Sequence, residues 1–504
     1  MNHLVIAPLL LPLLTGIALI LLRGSATPFR RVVSVAATLV LLIIAAALLL
    51  QVADGSVHVY RLGNWEAPFG IVLVADRLAA IMVLVTALLA ACVALYAARG
   101  ADHAGRYFHV LFQLQLFGLN GAFLTGDLFN LFVFFEVLLI ASYGLLLHGG
   151  GRERTRAGLH YVVLNLIGST LFLFAVGTLY GVLGTLNMAD LALRVAQVPP
   201  ADLGVVRAAG LLLFAVFALK AALAPLHLWL PGAYGHTSMP VAAMFAIMTK
   251  VGAYAILRVY SLVFGPDSGP AAGLLDAWLL PLALLTVVAG TVGVLASRRL
   301  AQQAAYLVLV SAGILLTAFG LGGTAALAAG LYYLAHTTLA AASLFLLADV
   351  LNHARGDLGD RLVAGPSLPQ GQLLGGLFLL IALAVTGVPP LSGFIGKFLI
   401  LQSSIGDPWM SWVIGVVLIT SLLGIMALAR SGSQLFFKVD GDAAVAAATR
   451  PIALIAPALL VSAGIGLVVY AGPVYEFTKG AAAQLVEPGG YVAAVLQTGR
   501  EGAP

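Results

Sequence analysis

Apolar runs close to 20 residues long recur along the chain, from "LVIAPLLLPLLTGIALILL" near the start to a last one ending near residue 472. As an α-helix, a run of that length crosses the roughly 30 Å hydrocarbon core of a bilayer. With 62% hydrophobic and 9% charged residues, against about 25% charged in a soluble domain, no water-soluble interior hides this much apolar surface. The runs lack the short alternating pattern of a membrane β-barrel. An α-helical bundle spanning a membrane follows, because only helices and closed barrels satisfy their own backbone in lipid. The first run has no Lys or Arg before it and no A-x-A-like site after it, so it is read as a transmembrane helix rather than a cleaved signal. The single cysteine, Cys92, lies within an apolar run, and Cys/His metal spacings and Gly-rich phosphate loops are absent. No cofactor or metal is expected.

Hydropathy places about 14 spans, near 3–22, 32–52, 78–98, 108–125, 128–148, 159–184, 208–230, 240–263, 276–296, 302–321, 326–348, 372–402, 411–430 and 452–472. One set of alternate loops is rich in arginine. It holds Arg23, Arg30, Arg31, Arg99, Arg106, Arg152, Arg154 and Arg156, then Arg298, Arg299, Arg355, Arg361, Arg430, Lys438 and Arg450. The opposite set holds little beyond Arg61, Arg77, Arg194 and Arg207. The positive-inside rule assigns the first set to the cytoplasm and both termini to the outside. The net charge of +5 reflects this bias and not nucleic-acid binding.

Two spans are interrupted. In "FALKAALAPLHLWLPGAYGH" Pro225 removes a helix donor and displaces the Ala221 carbonyl, and in "LAVTGVPPLSGFIGKFLI" Pro389 and Pro390 act likewise on Val385 and Thr386. The breaks fall in spans 7 and 12, five apart. That spacing implies a five-helix unit used twice, spans 4–8 (residues 108–263) and 9–13 (276–430), in opposite orientation, between helices 1–3 (1–107) and a C-terminal helix 14 with a tail (431–504). Broken helices at matching positions point to a transporter site.

The ionisable residues deep in spans are Glu136, Lys220, Lys250 and Lys397. Of 25 basic residues only five are lysines, and three of those sit at membrane depth while the loops use arginine. Arginine stays charged, whereas a desolvated lysine loses its proton readily. The partition implies that the buried bases must titrate. A carboxylate centred in an apolar helix costs about 2.5–3.5 kcal/mol on insertion scales, and Lys220, beside its break, is the natural ion-pair partner of Glu136. Arg258 is expected to snorkel to the nearby outer end of its helix. His336 lies mid-span and titrates near neutral pH, which suits a proton relay. His227 and His236 flank the first break as accessory candidates, with Ser311 and Tyr306 as weaker polar positions in span 10. His148, His160 and His353 sit at span ends and are read as solvated.

The motifs "GDLFNLFVFFEVLLIASYGLL", "ALKAALAPLHLWLPGAYGHTSMPVAAMFAIMTKVGAYAILRV", "RRLAQQAAYLVLVSAG", "LAHTTLAAASLFL" and "GVPPLSGFIGKFLI" together resemble the antiporter-like subunits shared by Mrp-type multisubunit cation/proton antiporters, respiratory complex I and membrane-bound hydrogenases. The resemblance covers essentially the full length, and the first two motifs are most similar to the D-type branch of the Mrp antiporters. It implies 14 core helices with inverted repeats. It also implies proton translocation through a glutamate–lysine pair (Glu136, Lys220), an onward lysine (Lys250) and a terminal lysine (Lys397), without redox centres of its own. Two features depart from the commonest pattern: span 10 reads "LAQQAAYLVLVSAG" where many relatives are more polar, and Lys397 follows its prolines whereas Lys220 precedes its own.

The leading expectation is therefore a component of a transporter and not an enzyme: a bacterial inner-membrane subunit of a Na+ or K+/proton antiporter. Its expected partners are a homologous large A-type subunit, small membrane subunits, protons, the cation and the lipid bilayer. The alternatives are a proton-pumping subunit of complex I or a hydrogenase, and a non-transporting scaffold, which has no use for the buried charges. Lys250→Arg and Lys397→Arg keep the charge but cannot release a proton, so both variants should assemble yet exchange protons poorly in everted vesicles across roughly pH 7–9. Full activity at every pH would mean that fixed positive charge suffices.

Overall fold

The computed structural model of the chain describes residues 3–24, 26–66, 69–105, 107–438 and 448–497. Arg106 and the side chain of Arg23 lie outside the described residues. Helices α1 (Ala7–Leu21) and α2 (Thr27–Gln51) are followed by a hairpin of β1 (His58–Arg61) and β2 (Val72–Ala75), then by α3 (Arg77–Ala97). The first five-helix unit comprises α4 (Phe108–Leu124), α5 (Leu128–Leu147), α6 (Arg152–Leu183), a short α7 (Met188–Ala196), and two spans of two helices each. These are α8 (Pro200–Lys220) with α9 (Trp229–His236), and α10 (Met239–Phe245) with α11 (Met248–Leu262). The second unit runs through α12 (Leu279–Ala296), α13 (Leu300–Leu321), α14 (Gly323–Ala354), the broken pair α15 (Gly371–Thr386) and α16 (Ser392–Ser403), and α17 (Met410–Gly432). The chain closes with α18 (Ile455–Val469), α19 (Ala471–Val486) and α20 (Gly489–Gln497).

Among the described residues ten segments are long and apolar enough to cross a membrane, and α18 with α19, bent by 82°, add an eleventh if counted as one span. Three shorter apolar helices, α1, α4 and α15, stand at the predicted spans 1, 4 and 12. Both breaks occur where the prolines place them: α8 ends at Lys220 and α15 at Thr386. Packing in the two units corresponds. The first two helices of each pair (α4 on α5, α12 on α13), and the third packs on both parts of the broken span (α6 on α8 and α9, α14 on α15 and α16). The units interlock, with α9 against α13 and α10 against α14. Residues Met239–Val259, which include Lys250, are all buried.

Carboxylates and amides start the outer helices. Asp76 accepts from Ala79 N, Asp127 from Asn130 N, and Asn187 from the N–H groups of Ala189 and Asp190. Each satisfies a first-turn donor that has no partner within its own helix. The hairpin and α7 are elements that hydropathy does not reveal, since neither is long enough to register as a span. Helices α19 and α20 pack on α14, α3 and α7 and bury Tyr491 and Val495.

Arg258 does not snorkel. It is 4% exposed and forms a two-pronged ion pair with Asp76 at 2.6 and 2.7 Å, with the rings of Tyr254 and Tyr491 against its guanidinium. The N-cap of α3 supplies a buried counter-ion within reach, so the side chain has no need of solvent. Arg258→Gln strands the Asp76 carboxylate and is expected to cost about 3–5 kcal/mol. This is measured as a lowered unfolding midpoint of the purified complex in detergent, with partial recovery in the Asp76→Asn, Arg258→Gln double variant.

Candidate functional site

Glu136 projects from α5 into the seam with α6. It is half-buried, and its carboxylate accepts a hydrogen bond from Ser169 Oγ. Phe135 of α5, Phe172 of α6 and Phe217 of α8 pack together beside it, with ring centroids 5.3–6.3 Å apart. The "LFNLFVFF" run therefore turns part of its aromatic surface inward, against α6 and α8.

Lys220 does not contact Glu136 directly. No salt bridge joins them among the described residues. The ammonium instead donates to Asn165 Oδ1 at 3.1 Å and to Asn165 O at 3.4 Å. Asn165 and Ser169 are four residues apart on α6 and so share one face, and a Cβ at the intervening Gly168 would lie 3.7 Å from Lys220 Nζ. The expected ion pair is thus bridged: one turn of α6 receives the lysine at one end and meets the carboxylate at the other, and the two charges still act on each other. Asn165 Nδ2 donates to Tyr161 O at 2.9 Å, which commits the amide and leaves its oxygen facing the lysine. Neither residue stood out in the sequence, because a lone Asn and Ser in an apolar helix carry no spacing signal.

The break behind Lys220 is compact. Ala222 adopts φ +58°, and Trp229 Nε1 donates a second hydrogen bond to the Leu219 carbonyl at 3.0 Å, beside the one from Ala222 N. From α11, Gly252 comes so close that a Cβ there would lie 2.3 Å from Ala221 N. This contact seats α11 directly on the end of α8. Lys250, two residues before Gly252, is 0% exposed, and its Nζ has no hydrogen-bond partner among the described residues.

In the second unit His336 of α14 bonds Ser392 Oγ through Nδ1 at 2.8 Å and lies within electrostatic reach of both Lys250 and Lys397. Lys397 reaches back across its own break. It donates to Thr386 O at 2.7 Å and to Ser421 Oγ at 3.0 Å. Two acceptors are as many as a neutral amine's two N–H groups can serve, so both bonds can survive loss of the proton. Gly387 turns left-handed at φ +80° there, and a Cβ would meet Lys397 Cδ at 2.8 Å; only glycine suits both conditions. Pro225, Pro389 and Pro390 themselves are exposed on the lateral surface of the chain.

The accessory candidates divide. His236 Nδ1 bonds Gly232 O within its own helix at 2.9 Å, and the Nδ1 of His227 is buried without a partner among the described residues. Ser311 bonds Val308 O and borders a void of about 20 Å³ shared with Tyr333 and Thr337. Tyr306 packs its ring on Gly293. His148 is not solvated: at 8% exposure it packs on Phe108, and burial lowers its pKa. His160 and His353 are exposed. Asp127, at the outer end of the helix that carries Glu136, was hidden within a loop motif; burial pushes its carboxyl up to about 6, against the N–H of Asn130.

Residues 125–424 match the family model described as NADH:quinone oxidoreductase/Mrp antiporter, transmembrane. The chain is 40% identical to the probable K(+)/H(+) antiporter D-subunit of Rhizobium meliloti (strain 1021), over 100% of this chain and 99% of that protein. It is 36% identical to the Na(+)/H(+) antiporter D-subunit of Bacillus subtilis (strain 168), over 99% and 100%. Among solved structures it superposes on a chain of the Mrp complex from Dietzia sp. DQ12-45-1b with a TM-score of 0.88 at 29% identity, covering 98% of this chain and 100% of that one. It superposes on a chain of the archaeal membrane-bound sulfane sulfur reductase with a TM-score of 0.90 at 28% identity, covering 98% and 100%.

Asn165→Leu removes the side-chain acceptor of a buried ammonium, an interaction worth about 1.5–3 kcal/mol. Cation-dependent proton exchange in vesicles, normalised to protein content, should fall by on the order of tenfold or more. Ser169→Ala should fall less, since Glu136 is half-buried. Unchanged exchange in Asn165→Leu would mean that α6 does not bridge the two charges.

Proposed function

The chain belongs to the family of NADH:quinone oxidoreductase and Mrp antiporter membrane subunits, and from that premise we propose that it carries the protons of a monovalent cation/proton antiporter. The path runs from Glu136 through the Ser169–Asn165 face to Lys220, then to Lys250, His336 and Lys397. Residues 108–263 and 276–430 act as two inverted halves of this path. The complex sits in the bacterial cytoplasmic membrane, with a homologous large A-type subunit, together with small membrane subunits, completing the route for Na+ or K+.

The observation that carries this reading is the placement of the charges. Lys220 ends the helix before the first break, Lys397 is bonded into the second, and His336 bonds Ser392 at the start of the helix that carries Lys397. Intramembrane ionisable groups are expensive and mark proton relays by default. A scaffold gains nothing from Lys250, whose buried ammonium has no bonding partner among the described residues to offset its desolvation. The antiporter D-subunits of Rhizobium meliloti and Bacillus subtilis, similar over the whole chain, support antiport over redox-driven pumping.

Glu136→Ala should lower cation-induced dissipation of a pH gradient in everted vesicles by on the order of 100-fold, the lower range for loss of a proton-transfer group, at unchanged complex abundance. Glu136→Asp should retain part of the activity, because the charge survives with a shorter reach. Wild-type exchange in Glu136→Ala would sink the proposal.

A further inference from the structure

At the first break the backbone donors can be followed one by one. Ala221 N bonds Phe217 O at 2.8 Å, Ala222 N bonds Leu219 O at 3.1 Å, and Leu223 N bonds Ala218 O at 2.8 Å. Pro225 has no donor, and Leu226 N bonds Leu223 O at 2.8 Å. These partners all lie within the same broken span. Ala224 N differs: it donates to Thr286 Oγ1 of α12 at 2.8 Å. Ala224 is 3% exposed and Thr286 0%, so water does not compete for this bond.

The hydroxyl of Thr286 is used in both directions. It accepts from Ala224 N and donates to Leu282 O, one turn back on its own helix, at 2.7 Å. The second bond fixes the rotor so that a lone pair faces the break. A valine has the same shape and neither capacity. α12 is the first helix of the second five-helix unit, whereas the break belongs to the first. Gly252 of α11 seats the break at Ala221, and Thr286 holds it from α12 three residues later. Lys220 is the residue immediately before this clamped segment.

We propose that Thr286 is a positioning residue that ties the backbone break behind Lys220 to the second five-helix unit. The hydrogen bond to Ala224 keeps the end of α8, and with it the Lys220 ammonium, in register with Asn165. It also makes that register depend on where α12 stands. The role in transport rests on the proton path proposed above, while the tether itself does not.

Two variants in the intact complex test this, Thr286→Val and Thr286→Ser. Hydrogen–deuterium exchange of peptides covering residues 221–230 reports the tether without reference to transport. Thr286→Val should raise exchange at the Ala224 amide, and Thr286→Ser should restore protection. In vesicles, Thr286→Val should lower cation-dependent proton exchange by on the order of tenfold, as misplaced reacting groups do, and should shift its pH profile. Thr286→Ser should recover both at equal complex abundance. Unchanged deuterium exchange in Thr286→Val overturns the tether. Raised deuterium exchange with wild-type transport and pH profile overturns the positioning role. Wild-type transport in a Lys220→Ala control overturns the proton path, and the positioning role with it, while the deuterium exchange result still decides the tether.

Discussion

A backbone that stops being helical inside a membrane frees donors and acceptors that lipid cannot satisfy, and the site is organised around meeting that demand twice. At the first break the indole of Trp229 takes the Leu219 carbonyl and the hydroxyl of Thr286 takes the Ala224 N–H. At the second, the ammonium of Lys397 takes the Thr386 carbonyl. One break is therefore held by neutral side chains next to a lysine, and the other by the lysine itself. This explains why the two half-sites differ in detail although the same helices pack in the same pairs around them.

The charged groups inherit their differences from this arrangement. Lys220 and Lys397 each have two oxygen acceptors. Lys250, within the fully buried stretch Met239–Val259, has no bonding partner among the described residues. Glu136 stands apart at the α5–α6 seam, separated from Lys220 by one turn of α6. A direct ion pair would hold both charges tightly, and breaking it would be costly. A bridge through Asn165 and Ser169 keeps the charges coupled while leaving each one movable by a proton. That is the kind of two-state element through which coupling travels.

The end of the bundle at the start of α3 is built for rigidity. The Asp76–Arg258 pair joins α3 to the top of α11 and is covered by Tyr491 from the C-terminal helix. Helices α19 and α20 fold back onto α3, α14 and α7. The charge at one end of α11 is thus held by hydrogen bonds, whereas Lys250, two turns away, is held by packing alone among the described residues.

The sequence alone determined the membrane class, the position of most spans, both helix breaks and the depth of the four ionisable residues. These follow from quantities local to a segment: apolar run length, proline, and the cost of a charge in an apolar run. It also placed three lysines in the interior, but it missed that Arg258 joins them there, paired with Asp76. Only the tertiary structure decided what each group touches. Asn165, Ser169 and Thr286 are ordinary residues in apolar helices until the packing of α6 on α8 and the approach of α12 to the break aim them. Arg258 was read as snorkelling because its partner, Asp76, lies 182 residues away. His148 was read as solvated because a span end says nothing of Phe108 above it. Hydrogen bonds act over about 3 Å, and which groups come within that distance across helices is set by packing between segments far apart in the chain.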